Sequence, residues 1–192
     1  YTCRVVVPAI VLAGAVPVFC DVEPDTCNMS ARTVAPCVTD RTRFVLMTHI
    51  HGQPVDVDGL RDLAEDRGFV IIEDAAASLG AEYRGGKTGR FGRIGYYSFS
   101  MYKNLNTLYG GMVGADDDET LAAIDVVMDG LDLRDPPTAE LMKRLSFALA
   151  TSVLTHPAPF SVSWYWGIRL LSAVAGDLFN RALVTLDAGS TG

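Results

Sequence analysis

Four apolar residues in unbroken succession, Phe69-Val70-Ile71-Ile72, run straight into two acids, Glu73-Asp74. A strand that is apolar at every position is buried on both faces, and such strands belong to parallel sheets flanked by helices. The segments around it alternate as that architecture requires. Val5 to Ala13 reads as a helix stopped by Gly14, and Val16-Pro17-Val18-Phe19-Cys20 as a short strand. Glu23-Pro24-Asp25-Thr26 is turn chemistry, and Ser30 to Cys37 a short helix. Phe44 to Thr48 is an apolar strand. Val57 to Arg67 carries Leu60, Leu63 and Ala64 at helical spacing and is closed by Gly68. Gly85-Gly86 and Gly89 mark a hairpin-like loop. Ile94 to Phe99 and Met112 to Ala115 read as strands, and Asp117 to Met128 as a helix with acids at its N-terminus. The expected fold is α/β, a mostly parallel sheet with flanking helices, over residues 1–130.

Beyond Gly130 the composition shifts. Residues 131–192 read as a linker, Leu131 to Pro137, followed by two apolar helical segments, Ala139 to Thr155 and Trp164 to Leu186. His156-Pro157-Ala158-Pro159 breaks the run. The first segment is shorter than the ~20 residues a bilayer requires. The second contains Arg169 and Asp177, each costing about 2.5–3.5 kcal/mol at the centre of a membrane. Packing on protein is the expected arrangement, with peripheral membrane contact second.

The chain has 192 residues and a net charge of −7, which argues against non-specific nucleic-acid binding. It opens on Tyr1 with no basic segment or small-residue cleavage site of the secretory kind, so the expected location is cytoplasmic. Cys3, Cys20, Cys27 and Cys37 are irregularly spaced, with no CxxC pair. They are expected to be free, buried thiols in a reducing compartment.

Two residues carry the chemistry. Asp74 ends the apolar strand, at the carboxyl edge where open α/β sheets bind ligands. A buried carboxylate there is costly unless it meets a cation. Lys103 lies one strand later, in Ser98-Phe99-Ser100-Met101-Tyr102-Lys103-Asn104. An acid to balance a ring nitrogen and a lysine to form a Schiff base point to an aldehyde cofactor, pyridoxal 5′-phosphate (PLP). Ser98 could give its hydroxyl to a phosphate, and Gly110-Gly111 would allow close backbone approach. The plainer alternatives are a helix N-cap for Asp74, ahead of Ala75-Ala76-Ala77, and a solvated surface charge for Lys103. His49 and His51 form an HxH pair with no third ligand nearby in sequence, so no metal is expected. Gly85-Gly86-Lys87-Thr88-Gly89 lacks the spacing of a phosphate loop.

Several stretches together resemble one family, the DegT/DnrJ/EryC1/StrS sugar aminotransferases of the aspartate-aminotransferase fold. They are Ala13 to Val22, Pro24 to Met29, His49 to Pro54, Glu73 to Ala81 and Ser98 to Leu105. The resemblance covers about residues 1–125 and implies a truncated PLP-binding large domain. It implies that Lys103 holds the cofactor aldehyde and moves the proton between C4′ and the substrate carbon. It further implies that Asp74 pairs with the pyridinium nitrogen and Ser98 binds the phosphate. Ala77 falls beside the cofactor's ring oxygen, where the family usually has Gln, and Cys3 falls where an aromatic ring often covers the cofactor. Met101-Tyr102 replaces the usual Pro-Gly. The implied reaction moves an amino group from an amino acid such as glutamate to a nucleotide-linked keto-sugar, in a homodimer. A related group of sugar dehydratases carries histidine in place of the lysine, and Lys103 argues against it. The rival expectation is a non-catalytic, scaffold-like relative, motivated by Ala77, Cys3 and the apolar C-terminal segment.

Overall fold

The computed structural model describes residues 2–100, 103–107, 109–131, 137–157, 161, 165–167 and 169–170. The first helix, α1 (Val6–Leu12), stops where Gly14 takes a left-handed φ of 78°. Ser30 opens α2 (Ala31–Val34) through a reciprocal cap. Its Oγ accepts from the Thr33 N–H at 3.3 Å, while the Thr33 hydroxyl oxygen accepts from the Ser30 N–H at 3.0 Å. A single 3-10 turn, Ala35–Cys37, completes the short helix that the sequence predicts. The strand expected at Val16 to Cys20 does not form. No neighbouring strand pairs with it among the described residues, and Val16 is 86% exposed. An apolar pentapeptide without a ladder partner has no backbone bonds to hold it as a strand.

β1 (Phe44–Thr48) is followed by α3 (Val57–Arg67) and β2 (Val70–Asp74), a parallel crossover unit. Asp56 caps α3 by accepting from the Gly59 N–H at 3.3 Å, and Gly68, at φ 74°, ends it. β3 (Glu82–Tyr83) and β4 (Gly86–Lys87) make the small antiparallel hairpin expected from the glycines. β5 (Ile94–Ser98) lies parallel to β2, and β6 (Gly111–Ala115) returns antiparallel to β5. The sheet order is therefore β1-β2-β5-β6, parallel except at its last strand. α4 (Asp118–Gly130) starts from Asp117, whose carboxylate accepts from the Thr120 N–H at 2.8 Å.

Met47, Val55, Val57, Leu60, Phe69, Ile71 and Val34 form the core between the sheet and helices α2 and α3. Each such large side chain contributes about 1.5–3 kcal/mol when fully buried, which is the main force docking α3 on β1 and β2. The cysteines are free, as expected, but not buried. Cys3 and Cys27 are exposed, and Cys20 and Cys37 only half-buried. They lie before β1, and Cys20 packs against the margin of the core.

The chain divides into two units, Tyr1–Arg134 and Asp135–Gly192. In the second, α5 (Thr138–Leu154) accounts for the first apolar segment. Tyr165 to Gly167 is helical, and most of the expected second segment, Trp164 to Leu186, lies outside the described residues. Among the described residues no helix is long and apolar enough to cross a membrane.

Candidate active site

Strand register determines which side chains share a face. In a parallel pair, aligned residues point the same way, and residues two apart on one strand do too. Thr48 of β1 aligns with Asp74 of β2, and Asp74 aligns with Tyr96 of β5. Ser98 is two residues beyond Tyr96. Thr48, Asp74, Tyr96 and Ser98 therefore form one row on one face, at the carboxyl edge of the three parallel strands. Met47, Glu73 and Gly95 form the row on the opposite face.

Asp74 is 4% exposed. Its Oδ1 accepts the Ala76 N–H at 3.0 Å, and its backbone carbonyl accepts from the His49 N–H at 3.1 Å. No helix follows it. The Asp74 to Gly80 segment is a series of turns, so Asp74 is not a helix N-cap. Tyr96 lies beside Asp74 on the same face, and the Ala75 N–H binds the Tyr96 carbonyl at 3.0 Å. Burial, with the nearby charge of Asp74 adding to it, pushes the Tyr96 phenol above its ordinary value. No cation is paired with Asp74 among the described residues.

Ser98 is half-buried and makes only long contacts, at 3.4 Å to the Ser100 hydroxyl and 3.5 Å from the Ser100 N–H. Contacts of that length are weak, so the hydroxyl keeps its capacity for an oxyanion. The segment after Ser98 is closed at the same sheet edge, where Phe99 N–H binds the Gly110 carbonyl at 2.9 Å and Thr107 N–H the Phe99 carbonyl at 3.0 Å. Lys103 lies in this closed loop, half-buried, its N–H on the Ser100 carbonyl at 3.0 Å. Ala77 is exposed, in the turn after β2. Its carbonyl crowds Gly52, where an added Cβ would lie 3.1 Å away and the backbone φ is 76°. The His49 to Gly52 turn and the Asp74 to Ala77 turn thus abut at the edge of β1 and β2.

The opposite face holds a charge that sequence reasoning missed. Glu73 and His49 are both fully buried, and His49 Nε2 lies 2.7 Å from Glu73 Oε1. His49 Nδ1 accepts the Val55 N–H at 3.2 Å, so the proton of this imidazole is on Nε2, donated to Glu73. Glu73 also accepts from the Phe91 N–H at 2.6 Å, the Gly92 N–H at 3.0 Å and the Gly89 N–H. Four donors fill the acceptor sites of one carboxylate. Burial works to raise its pKa, but the bonds from His49, Gly89, Gly92 and Phe91 outweigh it and hold the carboxyl below the ordinary range. His49 therefore serves as a structural donor, and the HxH pair is not a metal site. Gly95 is required here, because a Cβ would come within 2.0 Å of the Gly89 carbonyl.

The fold is an α/β unit with a mostly parallel sheet, and the comparisons give its family. The chain belongs to the DegT/DnrJ/EryC1/StrS aminotransferase family, whose model matches residues 2–132. It is 40% identical over 127 residues to the L-glutamine:2-deoxy-scyllo-inosose aminotransferase of Streptomyces fradiae, a match covering 66% of this chain and 30% of that protein. The solved structure of DesI with its TDP-sugar product is similar at 36% identity and a TM-score of 0.64, over 69% of this chain and 34% of that one. An E coli GDP-4-keto-6-deoxy-D-mannose-3-dehydratase with bound hydrated PLP is similar at 25% identity and a TM-score of 0.59, over 62% and 31%. The chain spans about a third of the length of the relatives it matches.

Proposed function

We propose that this unit is the cofactor-binding part of a PLP-dependent sugar aminotransferase, which moves an amino group from an amino acid such as glutamate to a keto-sugar carried on a nucleotide. The observation that carries the reading is Asp74, a buried carboxylate with acceptor capacity to spare and no cation paired with it among the described residues. The donor set suits the cofactor, with a carboxylate for a ring nitrogen, a serine hydroxyl for a phosphate and a lysine on one sheet edge. Bound PLP supplies an electron sink for the carbon that loses and gains a proton. Asp74 would hold the ring nitrogen protonated. Ser98 would donate to a phosphate oxygen. Lys103 would hold the aldehyde through its amine and then carry the proton across the reacting carbons. Ala77, lacking the amide usual in the family, would leave the ring oxygen to other donors. Lys103 in place of histidine favours transamination over dehydration.

Borohydride reduction of the PLP-loaded protein should fix the cofactor on Lys103, read by peptide mass. Label on Lys87 or Lys143 would overturn the assignment, and a colourless protein that takes up no PLP would favour the scaffold reading. The reading includes a homodimer. Its support is the family and the exposed apolar side chains Val18, Phe19 and Met112, which this unit does not bury by itself. Equilibrium sedimentation at micromolar concentration should show a dimer. A monomer alone would remove that part of the proposal.

A further inference from the structure

We propose that Asn28 is a positioning residue for the candidate site: its buried amide keeps the His49 to Gln53 turn shut against the strand end that carries Asp74, which sets how tightly that edge holds the cofactor. The inference rests on the PLP reading and extends it to a residue outside the row of site side chains. Asn28 is 2% exposed. Its Oδ1 accepts the Ile50 N–H at 2.9 Å, and its Nδ2 donates to the Gln53 carbonyl at 3.1 Å. One side chain thus grips both ends of a single turn, 22 and 25 residues further along the chain. Asn28 is itself held in place. Its carbonyl accepts from the Glu23 N–H at 2.8 Å, and the next residue, Met29, packs against the core.

The turn needs holding. Between Ile50 and Gln53 the backbone of His51 takes φ 56° and ψ 22°, and Gly52 follows at φ 76°. A residue with a Cβ is strained in that region, and such strain persists only where the surroundings over-determine it. The Gln53 N–H closes the turn from within, on the Ile50 carbonyl at 3.0 Å, and Asn28 closes it from outside. The closed turn meets the site at two points. His49 N–H donates to the Asp74 carbonyl at 3.1 Å, and Gly52 sits against the Ala77 carbonyl. Between those points lies the Ala76 N–H, which orients the Asp74 carboxylate. Without the Asn28 amide the turn is free to relax out of its left-handed backbone, and the Asp74 to Ala77 turn loses the neighbour it rests on.

The test compares backbone amide chemical shifts and PLP affinity in the wild type and Asn28→Ala. In the folded, unloaded variant the His49 and Ala76 amide signals should move, although neither group is bonded to Asn28. The Arg93 N–H, bonded to the Ile71 carbonyl nearer the other end of β2, should stay where it is. PLP should bind about tenfold more weakly, since two lost hydrogen bonds leave the competent edge only partly populated. Adding His51→Gly to Asn28→Ala should restore most of that affinity, because glycine takes the left-handed backbone without strain. Should Asn28→Ala fail to fold, Asn28→Asp reads the same effect, as it keeps the shape and the acceptor for Ile50 and loses the donor to Gln53. Unmoved His49 and Ala76 signals, an unchanged affinity, or no recovery with His51→Gly would each show a packing role only and overturn the inference, while the PLP reading stands so long as the wild type is loaded on Lys103. Wild-type protein that binds no PLP would overturn this inference and the function it rests on together.

Discussion

Replacing Glu73 by alanine is expected to lower the unfolding free energy of the α/β unit by about 3–5 kcal/mol, since each buried donor left without a partner costs about 1–3 kcal/mol. The substitution orphans four donors at once: His49 Nε2–H and the N–H groups of Gly89, Phe91 and Gly92. It also leaves a cavity beside Met47, which is itself fully buried. Urea denaturation monitored by circular dichroism reads the loss, and a change under 1 kcal/mol would mean water replaces the carboxylate without cost. Acid should imitate the mutation. Because the folded carboxyl lies below its ordinary value, its contribution is complete above the ordinary glutamate range, about 4.3, and is lost as pH falls through the folded value. The alanine variant should lose that part of the acid dependence.

Lys103→Ala is expected to lower transamination by about 10³-fold or more. The change removes both the amine that would hold the aldehyde and the base that would move the proton, and a positioned base alone contributes roughly 10²–10⁴-fold. Single-turnover mixing with glutamate separates chemistry from binding. Lys87→Ala is the control, because Lys87 pairs with Glu82 on the β3–β4 hairpin, apart from the row of Asp74 and Ser98. Lys103→Ala protein that keeps a tenth of the wild-type rate would remove Lys103 from the chemistry.

The parallel sheet was legible because its signals are local. Phe69 to Asp74 is apolar enough to name its own environment, and Asp56, Gly68 and Asp117 mark helix ends by their own side chains or backbone freedom. Val16 to Cys20 has the same local appearance yet forms no strand, since a strand depends on a partner that composition does not reveal. At the site, Asp74 could be read from its place at a strand end. The buried partner of Glu73 could not, because His49 meets it across 24 residues of chain and the other three donors are backbone groups. An acid at the inward position of an apolar strand was the available signal. Tyr96 was hidden for a different reason, though counting back two residues from Ser98 places it on the site face. That count needed the register of β2 against β5.

Glu73 is satisfied only when four stretches of chain have arrived: the end of β1, the loop before α3 through His49 and Val55, β2 itself, and the Gly89 to Gly92 loop. Until the last of them docks, the carboxylate is better off in water. Its contribution therefore belongs to the completed fold rather than to the nucleus from which folding starts, and such interactions act on the unfolding limb of the kinetics. The consequence concerns lifetime. The buried carboxylate does little to hasten assembly of the sheet and much to delay its coming apart, so the edge bearing Asp74 and Ser98 persists between rare openings.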